Sequence, residues 1–310
     1  MRWNDTASRL ILAHANIYIV NIMDKIKIGE VSVSSLIERD GPVRTAIAMF
    51  PDATPVRVAR ALSMLPGFTY DAKTEMIVIT YQTFILRTPT CTVLIDTCVG
   101  EHPGYHESLN YDKTPWLRAL EANKLTVEDI DYVFCTHLHI DHVGWNTRLI
   151  DGRHVPTFPN AKYVFSRREY EHWKTHESGA VGPSFNACVT PIVEAGQALL
   201  VDDSFVLNDE LSLIPAAGHS PGHVCVSLKS QGQHALFCGD LMHHAIQCIE
   251  PGWSTKLCSD PAGAAATRRR LFSQYCESDT LFIPTHFPAP TAGHVRAEGD
   301  ANRFDFLKSI

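Results

Sequence analysis

Residues 136–142, Thr-His-Leu-His-Ile-Asp-His, decide how the rest of this chain is interpreted. The six residues before them, 130–135, have the apolar pattern of a short buried strand. Because side chains alternate between the two faces of a strand, His137 and His139 leave on the same side. The carboxylate of Asp141 and the last imidazole then fall on a tight loop or on the first turn of a helix. This density of imidazole and carboxylate favours zinc or another borderline first-row metal over a solvated loop.

Three later stretches carry the same kinds of side chain, each after an apolar strand pattern. They are 217–223 (Ala-Gly-His-Ser-Pro-Gly-His), 237–240 (Phe-Cys-Gly-Asp) and 284–287 (Pro-Thr-His-Phe). Together with the first motif, they resemble the metal-binding elements of the metallo-β-lactamase-fold hydrolases. Four elements in this order over about 150 residues leave little room for chance. The resemblance covers roughly residues 27 to 295.

Fold and domain organisation are predicted partly from pattern and partly from this resemblance. The order of strand-rich and helical segments indicates only an α/β or α+β protein. The resemblance implies a four-layer αβ/βα sandwich of the metallo-β-lactamase type, with all ligands on loops at one edge. We expect residues 1–26 to be an N-terminal extension that need not belong to the core, and 27–310 to form a single domain of the metallo-β-lactamase type. Residues 25–33 alternate as one first strand should.

The resemblance also implies seven metal ligands in two groups that share one bridging acid. They are His137, His139 and His219 for one ion, Asp141, His142 and His286 for the other, and Asp240 as the bridge. Two zinc ions can bring the pKa of a shared water from about 15.7 to near 7, which supplies hydroxide at neutral pH. We therefore expect two Zn²⁺, with other divalent first-row metals as the alternative.

Four further polar residues are predicted to support or extend this site. Asp96 could simply cap a turn, but the resemblance makes it the acceptor for a metal-binding histidine. His223 is not a ligand in the family, and we expect it to hold its loop through backbone hydrogen bonds. His243 stands where acyl-homoserine lactonases have a tyrosine, three residues after the bridging acid. Either it or His244 donates to the reacting oxygen, or both are structural. The predicted catalytic residues are Asp240, Asp141 and His243.

The predicted function is hydrolysis of a lactone or carboxylic ester by attack of a metal-activated hydroxide on its carbonyl, with phosphotriester turnover as a side activity. Residues 286–290, followed by Gly-His-Val at 293–295, resemble the lactonase and methyl-parathion-hydrolase-like branch. The alternatives are a hydrolase of an amide, thioester or aryl substrate, including β-lactamase-like activity, an iron oxidoreductase on the same ligands, or a non-catalytic binding protein. Trp145 and Phe287 either line an apolar pocket or belong to the core.

Composition narrows the class of protein and of partner. The 310 residues are 45% hydrophobic and 20% charged, with a net charge of −7, which argues against a nucleic-acid partner. No stretch is long enough to span a membrane, and the resemblance implies a small-molecule ester or lactone substrate. Nine cysteines without a Cys-x-x-Cys pair favour a reducing cytoplasm over a disulfide framework or a thiolate zinc site. We expect a homodimer. Residues 40–75 are predicted to form a dimer contact or a wall of the site.

Overall fold

A computed structural model describes residues 25–101, 111–176, 184–299 and 301–308. Of the predicted N-terminal extension, residues 1–24 lie outside the described part. So do residues 102–110 and 177–183. No helix in the described part of the chain is long and apolar enough to cross a membrane.

In the described ranges, sixteen strands form two large sheets and one separate hairpin. The strands are β1 Ile26–Ile28, β2 Val31–Arg44, β3 Tyr70–Asp71, β4 Met76–Arg87, β5 Thr92–Ile95, β6 Tyr132–Phe134, β7 Thr147–Ile150, β8 Arg153–Pro156, β9 Lys162–Ser166, β10 Ala198–Val201, β11 Leu211–Pro215, β12 Val224–Ser230, β13 Gln233–Phe237, β14 Leu281–Ile283, β15 Gly293–Glu298 and β16 Ala301–Phe306. The first sheet has the order β1-β2-β4-β5-β6-β9-β10, with β3 beside β4. The second runs from β11 to β16 in sequence order, and β7 pairs only with β8.

Helices occupy the outer faces of the sheets and several loops. The α-helices of the described residues are α1 Ala46–Met49, α2 Pro55–Ser63, α3 Thr114–Ala122, α4 Ile140–Val143, α5 Arg167–Trp173, α6 Thr190–Glu194, α7 Ile246–Ile249 and α8 Pro261–Tyr275. The longest, α8, begins where local chemistry predicts. Asp260 accepts a hydrogen bond from the Gly263 amide at 2.9 Å, and Pro261 follows at a position that needs no amide donor.

The buried apolar side chains fall into layers that define the sandwich. One cluster lies between the two sheets and contains Phe84 and Phe134 from the first sheet with Phe237 and Ile283 from the second. A second cluster packs α3, α5 and α6 against the outer face of the first sheet. A third packs α7 and α8 against the outer face of the second sheet. The predicted αβ/βα sandwich is therefore confirmed.

The expected single strand over residues 25–33 is wrong in detail, because the structure has two strands with a tight turn between them. Gly29 in this turn has φ +58°, in the left-handed region that favours glycine. A Cβ atom there would lie 2.4 Å from the carbonyl oxygen of Ser230 in the second sheet. The alternating pattern does not reveal the reversal, since both strands keep their apolar side chains on the buried face.

Candidate metal centre

The seven predicted ligands all lie beyond strand ends at one edge of the sandwich. His137 and His139 follow β6, and α4 places Asp141 and His142 one turn later. The remaining three residues come from the second sheet. They are His219 between β11 and β12, Asp240 after β13 and His286 after β14. Because β5, β6 and β9 are mutually parallel, as are β13 and β14, their carboxyl ends deliver these loops to the same edge.

The first group of side chains surrounds one oxygen of Asp240. Asp240 Oδ2 lies 3.0 Å from His219 Nε2 and 3.6 Å from His137 Nε2. His139 joins the group through Nδ1, which lies 2.9 Å from His219 Nε2. One donor atom from each of these four residues falls within 4.8 Å of the others, close enough for a single metal ion.

The second group faces the other oxygen of the same carboxylate. Asp240 Oδ1 lies 2.9 Å from His286 Nε2 and 3.2 Å from His142 Nε2. Asp141 completes this group, with one oxygen 3.5 Å from His286 Nε2 and the other 3.7 Å from His142 Nε2. Asp240 therefore presents one oxygen to each group, as a carboxylate shared by two metal ions would.

The donor atoms fit divalent metal ions. His137 Nε2, His142 Nε2 and Asp240 Oδ1 are buried without a hydrogen-bond partner in the structure, an arrangement that is costly unless a ligand completes it. Nitrogen and carboxylate oxygen donors without a thiolate suit zinc and similar first-row ions. Asp141 is the ligand most open to solvent, with 20% of its side chain exposed.

Burial and mutual charge shift the pKa values of these groups in opposite directions. Burial lowers the pKa of His137 and of His139, so both favour the neutral form that binds a metal. Burial also opposes a charge on Asp240, but the surrounding histidines hold the pKa of that carboxyl well below its usual range. For His219, burial is outweighed by the adjacent Asp240, which raises the pKa to about 9.

Asp96 contacts the ring of the predicted ligand His142. Its Oδ2 lies 2.8 Å from His142 Nδ1, and its Oδ1 accepts the backbone amide of Thr136 at 2.8 Å. The backbone of Asp96 has φ +54°, which is uncommon for residues other than glycine. Asp96 therefore orients the ring of His142 and fixes the start of the motif loop.

His223 lies beside the metal-ligand cluster with both ring nitrogens engaged elsewhere. Its Nδ1 lies 3.1 Å from the carbonyl oxygen of Ala216, and its Nε2 accepts the backbone amide of Asp240 at 2.9 Å. Gly239 makes this approach possible, because a Cβ atom there would lie 2.6 Å from His223 Nε2. The ring thus holds the Asp240 loop through hydrogen bonds to the backbone.

His243 and His244 point in opposite directions. His243 Nε2 lies 3.1 Å from Asp240 Oδ2, and its ring stacks on His286 with centroids 5.4 Å apart. His244 turns away, with Nε2 2.9 Å from the carbonyl oxygen of Thr69 and Nδ1 accepting the Ile246 amide. Of these two imidazoles, His243 faces the cluster, and its role in the reaction stays a prediction.

Glu169 is a residue of the site that sequence reasoning missed. One oxygen accepts the Leu138 amide of the motif loop at 3.2 Å and the Trp173 indole at 2.6 Å. The other accepts the amide of Gly222, two residues before β12, at 2.7 Å. This buried carboxylate therefore joins the loop of His137 and His139 to the turn that carries His219.

Aromatic residues around the site divide between wall and core. Tyr81 on β4 packs edge-on against His286, with ring centroids 5.5 Å apart. Trp145 and Phe287 are fully buried, and Trp145 donates its indole N–H to Glu38 at 2.9 Å. Their complete burial therefore favours a place in the core over a place in the lining of a pocket.

Residues 79–271 match the sequence profile of a family described as the metallo-beta-lactamase superfamily. Among solved structures, the hydrolase AbOPH, described as in the beta lactamase superfamily, aligns with a TM-score of 0.78 at 22% identity, covering 94% of this chain and 99% of the other.

Two further structures are similar over nearly the whole chain. AidC, described as a dizinc quorum-quenching lactonase, aligns with a TM-score of 0.74 at 20% identity over 93% of this chain and 98% of its own. A probable metal-dependent hydrolase from Staphylococcus aureus aligns with a TM-score of 0.74 at 19% identity over 92% of this chain and 100% of its own. At these identities the likeness is one of fold.

Proposed function

Because the chain belongs to the metallo-β-lactamase superfamily and is a metal-dependent hydrolase, we propose that it holds two zinc ions and hydrolyses a lactone or a carboxylic ester. The observation that carries the metal count is the placement of Asp240, whose two oxygens each face a separate group of ligands. When bound, two such ions supply Lewis acidity and an activated water at neutral pH.

Residues of the site would position the ions, accept a proton and donate a hydrogen bond to the substrate. The seven ligands fix the positions of the two ions, and Asp96 holds the ring of His142 in the orientation that presents Nε2 to them. Asp141 is the most exposed ligand, so its carboxylate is placed to accept a proton where water and substrate enter. His243 reaches the cluster from the opposite loop and can donate an N–H to the carbonyl oxygen of the substrate as charge develops there.

The choice of lactone or ester is supported by the site and by the nature of the similar structures. One neighbour is named as a dizinc lactonase in complex with N-hexanoyl-L-homoserine as product, and another as an N-acyl homoserine lactone hydrolase with its product at the catalytic metal centre. The present chain differs from acyl-homoserine lactonases in placing His243 where they have a tyrosine. We therefore propose that His243 takes the place of that tyrosine beside the reacting carbonyl of a lactone or ester.

A substrate panel tests this proposal. Zinc-loaded protein is assayed with lactones, aryl and alkyl carboxylic esters, phosphotriesters, thioesters and β-lactams. We expect the highest kcat/KM for a lactone or a carboxylic ester and a lower value for phosphotriesters. A clear preference for a thioester or a β-lactam would replace the proposed substrate class, and redox activity of an iron-loaded form would replace the reaction.

The proposed homodimer and cytoplasmic location rest on separate features. Several large apolar side chains are exposed between residues 47 and 68, among them Val56 at 81% and Phe68 at 44%, which suits a contact between two copies. All nine cysteines are free thiols in the structure, which suits a reducing compartment. Light scattering of the purified protein would test the dimer.

A further inference from the structure

Three of the proposed metal-binding imidazoles have their second ring nitrogen beside an oxygen. His142 Nδ1 lies 2.8 Å from Asp96 Oδ2, His286 Nδ1 lies 2.9 Å from the carbonyl oxygen of Thr80, and His137 Nδ1 lies 3.1 Å from Thr136 Oγ1. Such contacts select the tautomer and fix the ring, and they are a regular feature of histidine ligands.

His219 has a different partner. Its Nε2 faces Asp240 Oδ2 at 3.0 Å, which leaves Nδ1 on the far side of the ring. That nitrogen lies 3.4 Å from the sulfur of Cys258, a distance at which sulfur accepts an N–H hydrogen bond. The side chain is 9% exposed, so water has little access to the pair.

The backbone around Cys258 is attached to the turn that carries His219. The Ser259 amide donates to the carbonyl oxygen of His219 at 2.8 Å, and the Asp260 amide donates to that of Gly218 at 2.9 Å. Thr255 Oγ1 lies 3.6 Å from the sulfur and holds it from the other side. Backbone hydrogen bonds between the segment of Cys258 and the turn of His219 therefore hold the thiol and the imidazole in contact.

The geometry points to Cys258 as the positioning residue of His219: its sulfur accepts the Nδ1–H hydrogen bond and so directs Nε2 at the metal site of His137 and His139. This inference rests on the proposed metal centre and assigns a role to a thiol that is not itself a ligand. Loss of the sulfur leaves a buried N–H without its acceptor and removes the constraint on the ring. Loss of such a partner typically lowers metal affinity about 10–100-fold.

Because Cys258 contacts only one of the two ligand groups, its removal should weaken one ion and spare the other. Cys258→Ala is expected to lose about 10–100-fold in affinity for one of two Co²⁺ or Zn²⁺ equivalents. Cys258→Ser, whose hydroxyl can still accept a hydrogen bond, should bind that ion more tightly than the alanine variant. Asp96→Asn is the contrasting case: Asp96 contacts His142 of one group and Thr136, which lies beside His137 of the other, so this variant should weaken both ions.

The experiment is a stepwise Co²⁺ titration of the metal-free full chain, followed by visible absorption, with the melting temperature of each metal-free variant recorded beside it. Cys248→Ala is the matched control, because this buried thiol contacts Met242 and not a proposed ligand. We expect Cys248→Ala to keep both affinities. We expect Cys258→Ala to lose one, without a larger fall in the metal-free melting temperature than the control shows.

Three results would overturn the inference. Unchanged affinities in Cys258→Ala would remove the positioning role while leaving the proposed function intact. A thiolate-to-cobalt charge-transfer band in the unmodified protein that disappears in Cys258→Ser would make Cys258 a ligand instead. A chain that takes up no metal at all would overturn the proposed function and this inference with it.

Discussion

At the scale of single residues, His243 carries the most specific prediction. Its Nε2 faces the cluster, whereas the adjacent His244 bonds to the backbone on the other side. His243→Ala should lower kcat about 10²–10³-fold, as loss of one oxyanion donor does, with little change in KM or zinc content. Steady-state kinetics with metal analysis checks this, and His244→Ala is the control. If both variants lose zinc together, the pair is a structural support and the catalytic role is wrong.

A second prediction at this scale concerns the pH dependence of the metal-free protein. Burial lowers the pKa of His243 and of His244 to about 4, so the unfolded chain binds more protons than the native chain between pH 4 and 6.5. Stability therefore rises with pH over that range. Asp240 outweighs burial at His219 and raises its pKa to about 9, so the native state binds the extra proton above pH 6.5 and stability falls again.

The metal-free melting temperature should consequently have its maximum near pH 6.5. Each such group contributes at most about 1.4 kcal/mol per pH unit. Zinc should reverse the decline above pH 6.5, because it binds the neutral imidazole. Calorimetry between pH 5 and 9, with and without zinc, measures both curves. A metal-free melting temperature that climbs steadily to pH 9 would contradict the assignment for His219.

At the scale of elements, Glu169 on α5 joins two loops that are more than 80 residues apart in sequence. Glu169→Gln would place an amide N–H₂ against at least one of the N–H groups that the carboxylate now accepts. We expect a loss of about 1–3 kcal/mol in the free energy of unfolding and faster zinc release. Urea unfolding measures the first and chelator competition the second. The exposed Glu171→Gln on the same helix is the control, and equal behaviour of the two variants would contradict the role.

Local grouping of side chains makes part of the site predictable from the sequence, whereas contacts between distant segments require the family resemblance or the structure. The pairs His137–His139 and Asp141–His142 lie within six residues, so their spacing predicts that they share one site. Alternation along an extended segment separates His243 from His244, yet it cannot tell which of them faces the ligands, because that depends on the second sheet. Glu169 and Cys258 have no local signal at all, since their partners are supplied by other loops.

At the scale of the whole molecule, we propose that residues 27–310 form one domain to which the first 22 residues add nothing. The cluster between the sheets draws side chains from β1, β2 and the second sheet, so β1 and β2 already contribute to the core. A chain that starts at Met23 should keep its melting temperature and specific activity. Differential scanning fluorimetry and the best substrate of the panel check this. A large loss of either would show that the removed segment packs on the core or on a second copy.

The proposed two-ion centre bridged by Asp240 is the central claim about this protein, and elemental analysis tests it directly. Protein prepared without chelator should contain close to two zinc ions per chain, from seven nitrogen and oxygen ligands with no thiolate. Asp240→Asn should lose much of one ion and most of the activity, because a neutral amide does not balance two dications. Two zinc ions and near-normal turnover in that variant, or iron as the principal metal of the unmodified chain, would contradict the account.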